Sequence, residues 1–292
     1  MDEIFLVLLR GLALGAIYAI IAMSFNVVYK SSGVLNFAQG NIFILGALAA
    51  AFLTDYVSGI LSWFLFLLVA AIVVSVILYI QGMVTIGVSA KKDSYQSWLV
   101  STMASSVIIG ALILMFQGAS TVYVSPTFGK VEAFGAKTPI TSLIAIVLMF
   151  AWYVILEWFY RKTMLGLSIS ALSQDIHSAK SAGLPVKKLQ LLAFGISGLI
   201  VGSAGYALAP VLVIGAESGI NYVINGFIAA VVGGVGSNSG SILGGLLLGS
   251  ISMMTAFTLG GEFQLLTALA ILIFVLMLRP QGLFGRTAAR TV

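Results

Sequence analysis

Long apolar segments follow one another along almost the whole chain, and they constrain its fold more than any other feature. The first runs from about residue 5 to residue 28 and holds a single charged residue, Arg10. A membrane-spanning helix needs about 20 mostly apolar residues. In hydrocarbon, only helices and closed barrels satisfy every main-chain hydrogen-bonding group. The sequence therefore predicts an all-α, polytopic integral membrane protein.

Nine segments are predicted to span the membrane. Eight or ten spans are alternatives, because the glycine-rich stretch 220–259 can form two short helices or one broken helix pair. The predicted spans are 5–28, 37–54, 60–82, 97–117, 139–160, 189–212, 220–236, 240–259 and 263–279.

The composition argues against a separate soluble domain. Of the 292 residues, 60% are hydrophobic and 8% are charged, whereas soluble domains carry about 25% charged residues. Residues 1–292 are therefore predicted to form one membrane domain, whose longest polar loop covers about 161–188. The net charge of +5 is spread over loops, so it indicates topology rather than a nucleic-acid surface.

The basic residues predict the orientation, because cytoplasmic loops of membrane proteins are rich in Lys and Arg. With the 161–188 loop inside, nine spans place eleven of the 14 basic residues inside and three outside. This predicts an outer N-terminus and a cytoplasmic C-terminus. The inner set is Lys30, Lys91, Lys92, Arg161, Lys162, Lys180, Lys187, Lys188, Arg279, Arg286 and Arg290, and the outer set is Arg10, Lys130 and Lys137.

Several kinds of chemistry are excluded by what the sequence lacks. It has no cysteine and one histidine, His177, so thiolate and multi-histidine metal sites are ruled out. Gly129-Lys130 is followed by Val131 rather than Ser or Thr, so no P-loop for ATP is present. We expect neither a cofactor nor enzymatic activity. The predicted span centres carry almost no ionisable residues, which points to an energy source on another subunit.

Amide side chains interrupt the apolar pattern in two places. Asn36, Gln39 and Asn41 lie in the segment that joins the first two spans and begins the second, and Asn221 and Asn225 lie in the seventh. An amide without a partner in hydrocarbon costs several kcal/mol. These residues therefore either cap and pack helices or line a solute path, and both alternatives stay open.

The polar loop 161–188 contains a predicted short helix. Five residues at helical spacing carry the prediction, and Gly183 and Pro185 supply stop signals. An amphipathic helix here lies on the lipid surface or docks in a groove of a partner protein. His177 is interpreted as a solvated residue on it. The five residues are Ala171, Leu172, Ile176, Ala179 and Ala182.

Glycines spaced by four residues are predicted to bring helix backbones close together in lipid. The contact is either intramolecular packing or a dimer interface. The pairs include Gly11 with Gly15, and Gly236, Gly240 and Gly244 in series.

Four motifs in order resemble one family, the LivH/LivM kind of permease of ABC importers for branched-chain amino acids. Together they extend over nearly the whole chain. They are Gly11–Ile20 followed by Asn36–Gly40, the loop end Ala179–Leu184, the glycine-rich stretch Phe227–Ser237 continuing to Gly245, and the end Arg279–Gly285. The chain departs from the family at Gln39, where histidine is common, and at Ser237-Asn238-Ser239, where Ser-x-Pro is usual.

The resemblance implies a multi-pass inner-membrane permease of a bacterium or archaeon. Its implied partners are a second permease subunit, identical or different, two cytoplasmic ATPase subunits and a periplasmic or extracellular solute-binding protein. The 161–188 loop would couple to the ATPases. The implied solutes are branched-chain or other amino acids, with urea, short amides and carboxylates as further options. The implied coupling residues are Ala171, Leu172, Asp175, Ile176, Ala179, Ala182 and Gly183.

Two other functions are considered. A passive channel or facilitator, for example for urea or amides, would work without ATP and without a docking helix. A membrane scaffold or receptor would lack a solute path, so replacing Asn36, Gln39 or Asn41 would alter assembly but not selectivity.

Overall fold

A computed structural model describes residues 2–89, 95–126, 128–133 and 136–285. The described part is mainly helical, with one small hairpin. The helices are α1 (Asp2–Ser32), α2 (Gln39–Leu53), α3 (Ile60–Ser89), α4 (Tyr95–Gln117), α5 (Ile140–Lys162), α6 (Met164–Leu172), α7 (Ile176–Ser181), α8 (Val186–Leu208), α9 (Ser218–Gly233), α10 (Asn238–Thr258) and α11 (Gln264–Leu278), and the strands are β1 (Lys130–Ala133) and β2 (Ala136–Pro139).

Seven helical segments in the described part are long and apolar enough to cross a membrane. The polytopic helical fold is therefore confirmed. Two shorter helices, α2 and α9, lie where the spans 37–54 and 220–236 are predicted. The count of nine crossings and the orientation stay predictions. Four basic residues used for that orientation lie outside the described residues, namely Lys91, Lys92, Arg286 and Arg290.

Glycines allow close packing in the two most extensive helix pairs, α1 with α10 and α3 with α8. Helix α1 packs along α10. A Cβ added at Gly15 would lie 2.7 Å from both the carbonyl oxygen of Gly245 and the Cα of Leu246. Gly11 lies against Ser250 in the same interface. Helix α3 packs along α8 in the same way. Close backbone approach within one chain thus uses Gly11 and Gly15.

The order of long and short helices repeats along the chain. Helices α1, α2 and α3 are long, short and long, and so are α8, α9 and α10. The first helix of each set packs on the last of the other, and each short helix packs on the first helix of the other set. With the predicted alternation of spans, the two sets have opposite orientations. Inverted repeats of this kind place transporter sites at the interface between the repeats.

The segment between α4 and α5 contains a small hairpin within the otherwise helical fold. Strands β1 and β2 pair antiparallel, with Val131 opposite Thr138. Val122 also pairs with Ile214, which joins this segment to the stretch before α9. Pairing of two short strands depends on a partner that hydropathy alone does not reveal.

The C-terminal stretch 279–285 caps the end of α9. The N–H groups of Leu283 and Phe284 donate to the carbonyls of Val232 and Gly233, at 2.8 and 2.9 Å. These carbonyls lie in the last turn of α9, where helices leave acceptors unsatisfied. The last motif of the sequence thus completes a helix about 50 positions earlier in the chain.

One predicted packing glycine lies outside any helix. Helix α10 begins at Asn238, so Gly236 precedes it, with a φ of 86° that favours glycine. Its N–H donates to the Asn26 side chain at 2.8 Å, which holds the turn against α1. Gly240 and Gly244 do pack against α9, at Gly233. The predicted series of three therefore contains two packing glycines and one turn glycine.

Candidate functional site

The first turns of α2 and α9 are in direct contact. A side chain at Gly40 would overlap the carbonyl of Gly219 and reach Val223. The ring of Phe37, just before α2, lies 5.9 Å from that of Phe227 in α9. Two glycines are therefore required where the two helix starts meet.

This contact places a helix start inside the membrane under the nine-span topology. In that topology α2 starts from the inner side and α9 from the outer side, so touching first turns cannot both lie at a surface. The helices have 15 and 16 residues, or about 22 and 24 Å, against a hydrocarbon thickness of about 30 Å. Short, interrupted helices that meet within the membrane are typical of transporter binding sites.

A reciprocal amide pair holds the break between α1 and α2. Asn36 donates to Gln81 at 2.9 Å and accepts from Gln81 at 3.1 Å. The same Asn36 oxygen accepts from the N–H of Ala38 at 3.1 Å, which forms a turn before α2. Non-helical backbone at membrane depth persists only where it is buried in protein or lines a cavity. Here Asn36 is fully buried.

Gln39 continues this network to two further helices. Its amide donates to the hydroxyls of Ser24 in α1 and Ser197 in α8, at 2.8 and 2.6 Å. Gln39 is also fully buried. That Asn36 and Gln39 line a solute path stays a prediction, and their burial and hydrogen bonds favour the alternative of packing.

Asn41 differs from these two amides because only its side-chain nitrogen, and not its oxygen, forms hydrogen bonds with described residues. Its nitrogen donates to the carbonyl and hydroxyl of Ser106 in α4, at 2.7 and 3.1 Å. Its oxygen is buried and has no hydrogen bond among the described residues. The oxygen lies against Gly219, where a side chain would overlap it. Asn41 thus joins α2, α4 and the start of α9.

A polar stripe follows one exposed face of α9. Glu217 and Asn221 are exposed, and Asn225 is partly exposed. They are spaced by four residues, which places them on one face of the helix. Asn225 donates to the carbonyl of Asn221 at 2.9 Å. Polar groups on a membrane helix face water or another protein surface rather than lipid.

Four polar residues at this site were missed by sequence reasoning. Ser24, Gln81 and Ser197 each complete the network around Asn36 and Gln39. A lone amide in a long apolar helix is a signal that could have identified Gln81. Glu217 belongs to none of the motifs in the sequence, and the structure shows that it directly precedes α9.

The segment after α5 folds into two short helices, not the single predicted one. The N-cap of α6 is Thr163, whose hydroxyl accepts from Gly166 at 3.0 Å. The N-cap of α7 is Asp175, whose carboxylate accepts from the N–H of His177 and the hydroxyl of Ser178. A cap that offers its own acceptor ends one helix and starts the next.

Gly183 ends α7 in a Schellman arrangement. Its φ is 81°, and its N–H donates to the carbonyl of Lys180 at 3.0 Å. The N–H of Leu184 donates to the carbonyl of Ala179 at 3.1 Å. Both bonds are those expected at a glycine-terminated helix. Gly183 therefore shapes the segment through its backbone.

The predicted coupling residues divide between a buried and an exposed face. Leu172 and Ala179 pack into the core, whereas the other five are exposed. His177 is exposed as well, as expected for a solvated residue. The predicted coupling residues within reach of a partner are therefore Ala171, Asp175, Ile176, Ala182 and Gly183, and His177 is exposed beside them.

The charge of Asp175 is favoured by its surroundings. Hydrogen bonds from the Ser178 side chain and from the main chain of Ser178 and His177 lower the pKa of the Asp175 carboxyl, with a smaller effect from the His177 charge. An ionised carboxylate at the start of a helix is favourable. The cap is therefore charged at neutral pH.

An apolar groove between α10 and α11 does not suit a polar solute. It has a volume of about 540 Å³ and lies between α10 and α11. Its lining is apolar except for Arg279 at one end. Solute sites need a few convergent polar groups, so the meeting point of α2 and α9 is the better candidate.

Comparison with known proteins agrees with this architecture. The chain is 28% identical to LivH, a high-affinity branched-chain amino acid transport system permease protein of Salmonella typhimurium, over the full length of both. It is 27% identical to BraD of Pseudomonas aeruginosa, described in the same words, over 98% of this chain and 97% of BraD.

A solved structure has a similar fold. PsaBC from Streptococcus pneumoniae in complex with Fab matches with a TM-score of 0.51 and 15% identity, over 94% of this chain and 92% of the matched chain. Residues 7–276 match the family described as "Branched-chain amino acid transport system / permease component". The chain belongs to this family of branched-chain amino acid transport permeases.

Proposed function

We propose that this chain is the transmembrane permease subunit of an ABC importer for branched-chain or other amino acids. It would act in the inner membrane of a bacterium or archaeon. The observation that carries the proposal is similarity over the full chain to permease proteins named for branched-chain amino acid transport. The exposed α7, presented by a chain without a P-loop, supports the same function.

ATP hydrolysis takes place on separate ATPase subunits in this proposal. Helix α7 docks in a groove of an ATPase through Ile176 and its exposed neighbours, while Leu172 and Ala179 anchor the segment to the permease core. A solute-binding protein delivers the solute from outside. A second permease subunit, identical or different, completes the path.

The solute path runs past the contact between α2 and α9. Asn221 and Asn225 lie on its polar face, and Asn41 is buried beside it against Gly219. Asn36 and Gln39 hold the break before α2 and shape the path from behind. Rocking of the two helix sets against each other would open the path alternately to either side.

The proposal is tested by reconstituting the complex. The chain is co-expressed with the ATPases and binding protein encoded beside it, purified through a tag on this chain, and placed in nanodiscs. We expect the ATPases to co-purify and the loaded binding protein to stimulate ATP hydrolysis. A chain that purifies alone under these conditions contradicts the proposal.

Ile176 provides a sharper test of docking than Ala179 does. A charge at Ala179 would enter the core and unfold the segment, because this residue is 5% exposed. Ile176 is 36% exposed, so a glutamate at this position can keep its carboxylate in water. We expect Ile176→Glu to lose ATPase co-purification and Ile176→Leu to retain it. Equal co-purification of both variants would refute docking through this face.

The alternative function is an ATP-independent channel or facilitator for urea or amides. It predicts that the purified chain alone passes solute through liposomes. Stimulated ATP hydrolysis together with impermeable liposomes of the chain alone excludes it.

A further inference from the structure

The first turn of α9 is a helix N-terminus without a side-chain cap. Its N-cap residue, Glu217, makes no capping hydrogen bond, and residues 218–221 include no acid. The N–H groups of Ser218 and Ile220 make bonds of 3.2 Å to the preceding turn, and that of Gly219 has no partner within the described ranges. A helix start carries partial positive charge. It is therefore a favourable place for an anion.

Asn41 is a second, independent feature that points to ligand binding at this helix start. Its side chain is 4% exposed, and its oxygen has no donor among the residues that the structure describes. That oxygen lies against Gly219, the second residue of α9. An unpartnered buried acceptor is unfavourable and calls for an explanation. It lies beside the first turn of α9, where an anionic oxygen is favourable.

Glu217 adds the complementary charge beside this helix start. Its side chain is exposed, and it forms no ion pair with any described residue. The site thus combines the positively charged start of α9, at Ser218, with the carboxylate of the preceding residue, Glu217. A molecule that carries both a carboxylate and an ammonium group matches the two.

We propose that the first turn of α9, with Asn41 and Glu217, is the subsite in the permease that recognises a zwitterionic α-amino acid. The N–H of Gly219 receives the carboxylate of the solute, which displaces the oxygen of Asn41. Glu217 pairs with the ammonium group, and Asn221 lies one turn further along the exposed face. The inference rests on the proposed importer function and assigns the residues that hold the two charged groups of its solute.

Three variants test the subsite in the reconstituted complex. Glu217→Gln removes the ammonium partner from an exposed position. Asn41→Asp places a permanent carboxylate at the start of α9, where it competes with that of the solute. The matched control is Glu262→Gln, because Glu262 is an exposed acid just before α11. Labelled leucine uptake and ATP hydrolysis stimulated by the leucine-loaded binding protein are measured together.

We expect Glu217→Gln and Asn41→Asp to lower leucine uptake by about tenfold or more, as for loss of a charge-assisted hydrogen bond. Stimulated ATP hydrolysis should persist in both, and Glu262→Gln should resemble the wild type. Wild-type uptake in Glu217→Gln, a substitution that breaks no observed bond, overturns the subsite. Absence of stimulation in the wild-type complex would instead overturn the importer function on which the inference rests.

A second readout addresses the ligand class and does not use transport. The melting temperature of the complex in nanodiscs is measured with leucine, with 4-methylpentanoate, which lacks the ammonium group, and with 3-methylbutylamine, which lacks the carboxylate. We expect leucine to give the largest rise, and the rise to disappear in Glu217→Gln. Equal rises with leucine and with either analogue in the wild type contradict recognition of a zwitterion.

Discussion

At the scale of single residues, a few amides decide where the chain stops being helical. The sequence identifies Asn36 and Gln39 as polar interruptions, but it leaves open whether they pack or line a path. The structure supplies Gln81, which is 45 positions from Asn36 and forms a two-way hydrogen bond with it. Pairing over such a distance depends on how α3 packs, which residue type alone does not reveal.

The amide pair yields a stability prediction. Gln81→Leu keeps the side-chain size but leaves the Asn36 amide without its main partner in a buried site. We expect a loss of about 1–3 kcal/mol in the free energy of unfolding. Thermal unfolding of the purified chain in detergent measures it. Gln174→Leu, at an exposed position, is the control, and an equal effect of both variants would contradict a structural role for the pair.

Asp175 yields a prediction about capping and pH. Because the pKa of Asp175 is lowered in the folded protein, its stabilising effect is present at neutral pH and is lost only as acid titrates the carboxyl. We expect binding of the ATPases to be weakened by Asp175→Ala and largely kept in Asp175→Asn, since Asn is also a good N-cap. The difference should persist between about pH 8 and about pH 6. ATPase binding that weakens between about pH 8 and about pH 6 in the wild type, but not in Asp175→Asn, would contradict this.

At the scale of elements, hydropathy predicts where helices lie better than how they end. All nine predicted spans have a corresponding helix. The 161–188 segment was predicted to hold one helix, but Asp175 divides it into α6 and α7. Gly236 was predicted to pack inside a helix, but Asn26 holds it in a turn. Both differences arise from hydrogen bonds, to which hydropathy is insensitive.

The cap on α9 yields a prediction with a closely matched control. Gly282 has a φ of 79°, and a Cβ there would lie 2.5 Å from the carbonyl of Val231. Gly118 has a φ of 81° but nothing within 4 Å. Gly282→Ala and Gly118→Ala thus share the same backbone strain. Because only Gly282→Ala overpacks, we expect it to be less stable by about 1–3 kcal/mol. Equal melting temperatures of the two variants would contradict tight packing of residues 279–285 against α9.

At the scale of the whole molecule, the sequence predicts the fold class and the family, but not the meeting of two helix starts. The short spans 37–54 and 220–236 are visible in the sequence, whereas the contact between Gly40 and Gly219 is not. Glycines at that contact look like the many others in the chain, which has 32. Only the three-dimensional packing of the two helix sets distinguishes them.

The topology can be tested directly because the chain has no cysteine. Single variants Ser58→Cys, before α3, and Ser173→Cys, between α6 and α7, are both at exposed positions. In intact cells we expect a membrane-impermeant maleimide to label the first, and the second only after the membrane is opened. Labelling of both from the same side would contradict the predicted topology.

The central claim is that this permease moves amino acids with energy from separate ATPases that dock on α7. Labelled leucine uptake into proteoliposomes is the most direct measurement, with the complex reconstituted alongside the loaded binding protein and with or without ATP on the ATPase side. We expect uptake by the wild type only with ATP, and no uptake by Ile176→Glu even with ATP. Leucine entry without ATP, or through this chain in the absence of the ATPases, would contradict the claim.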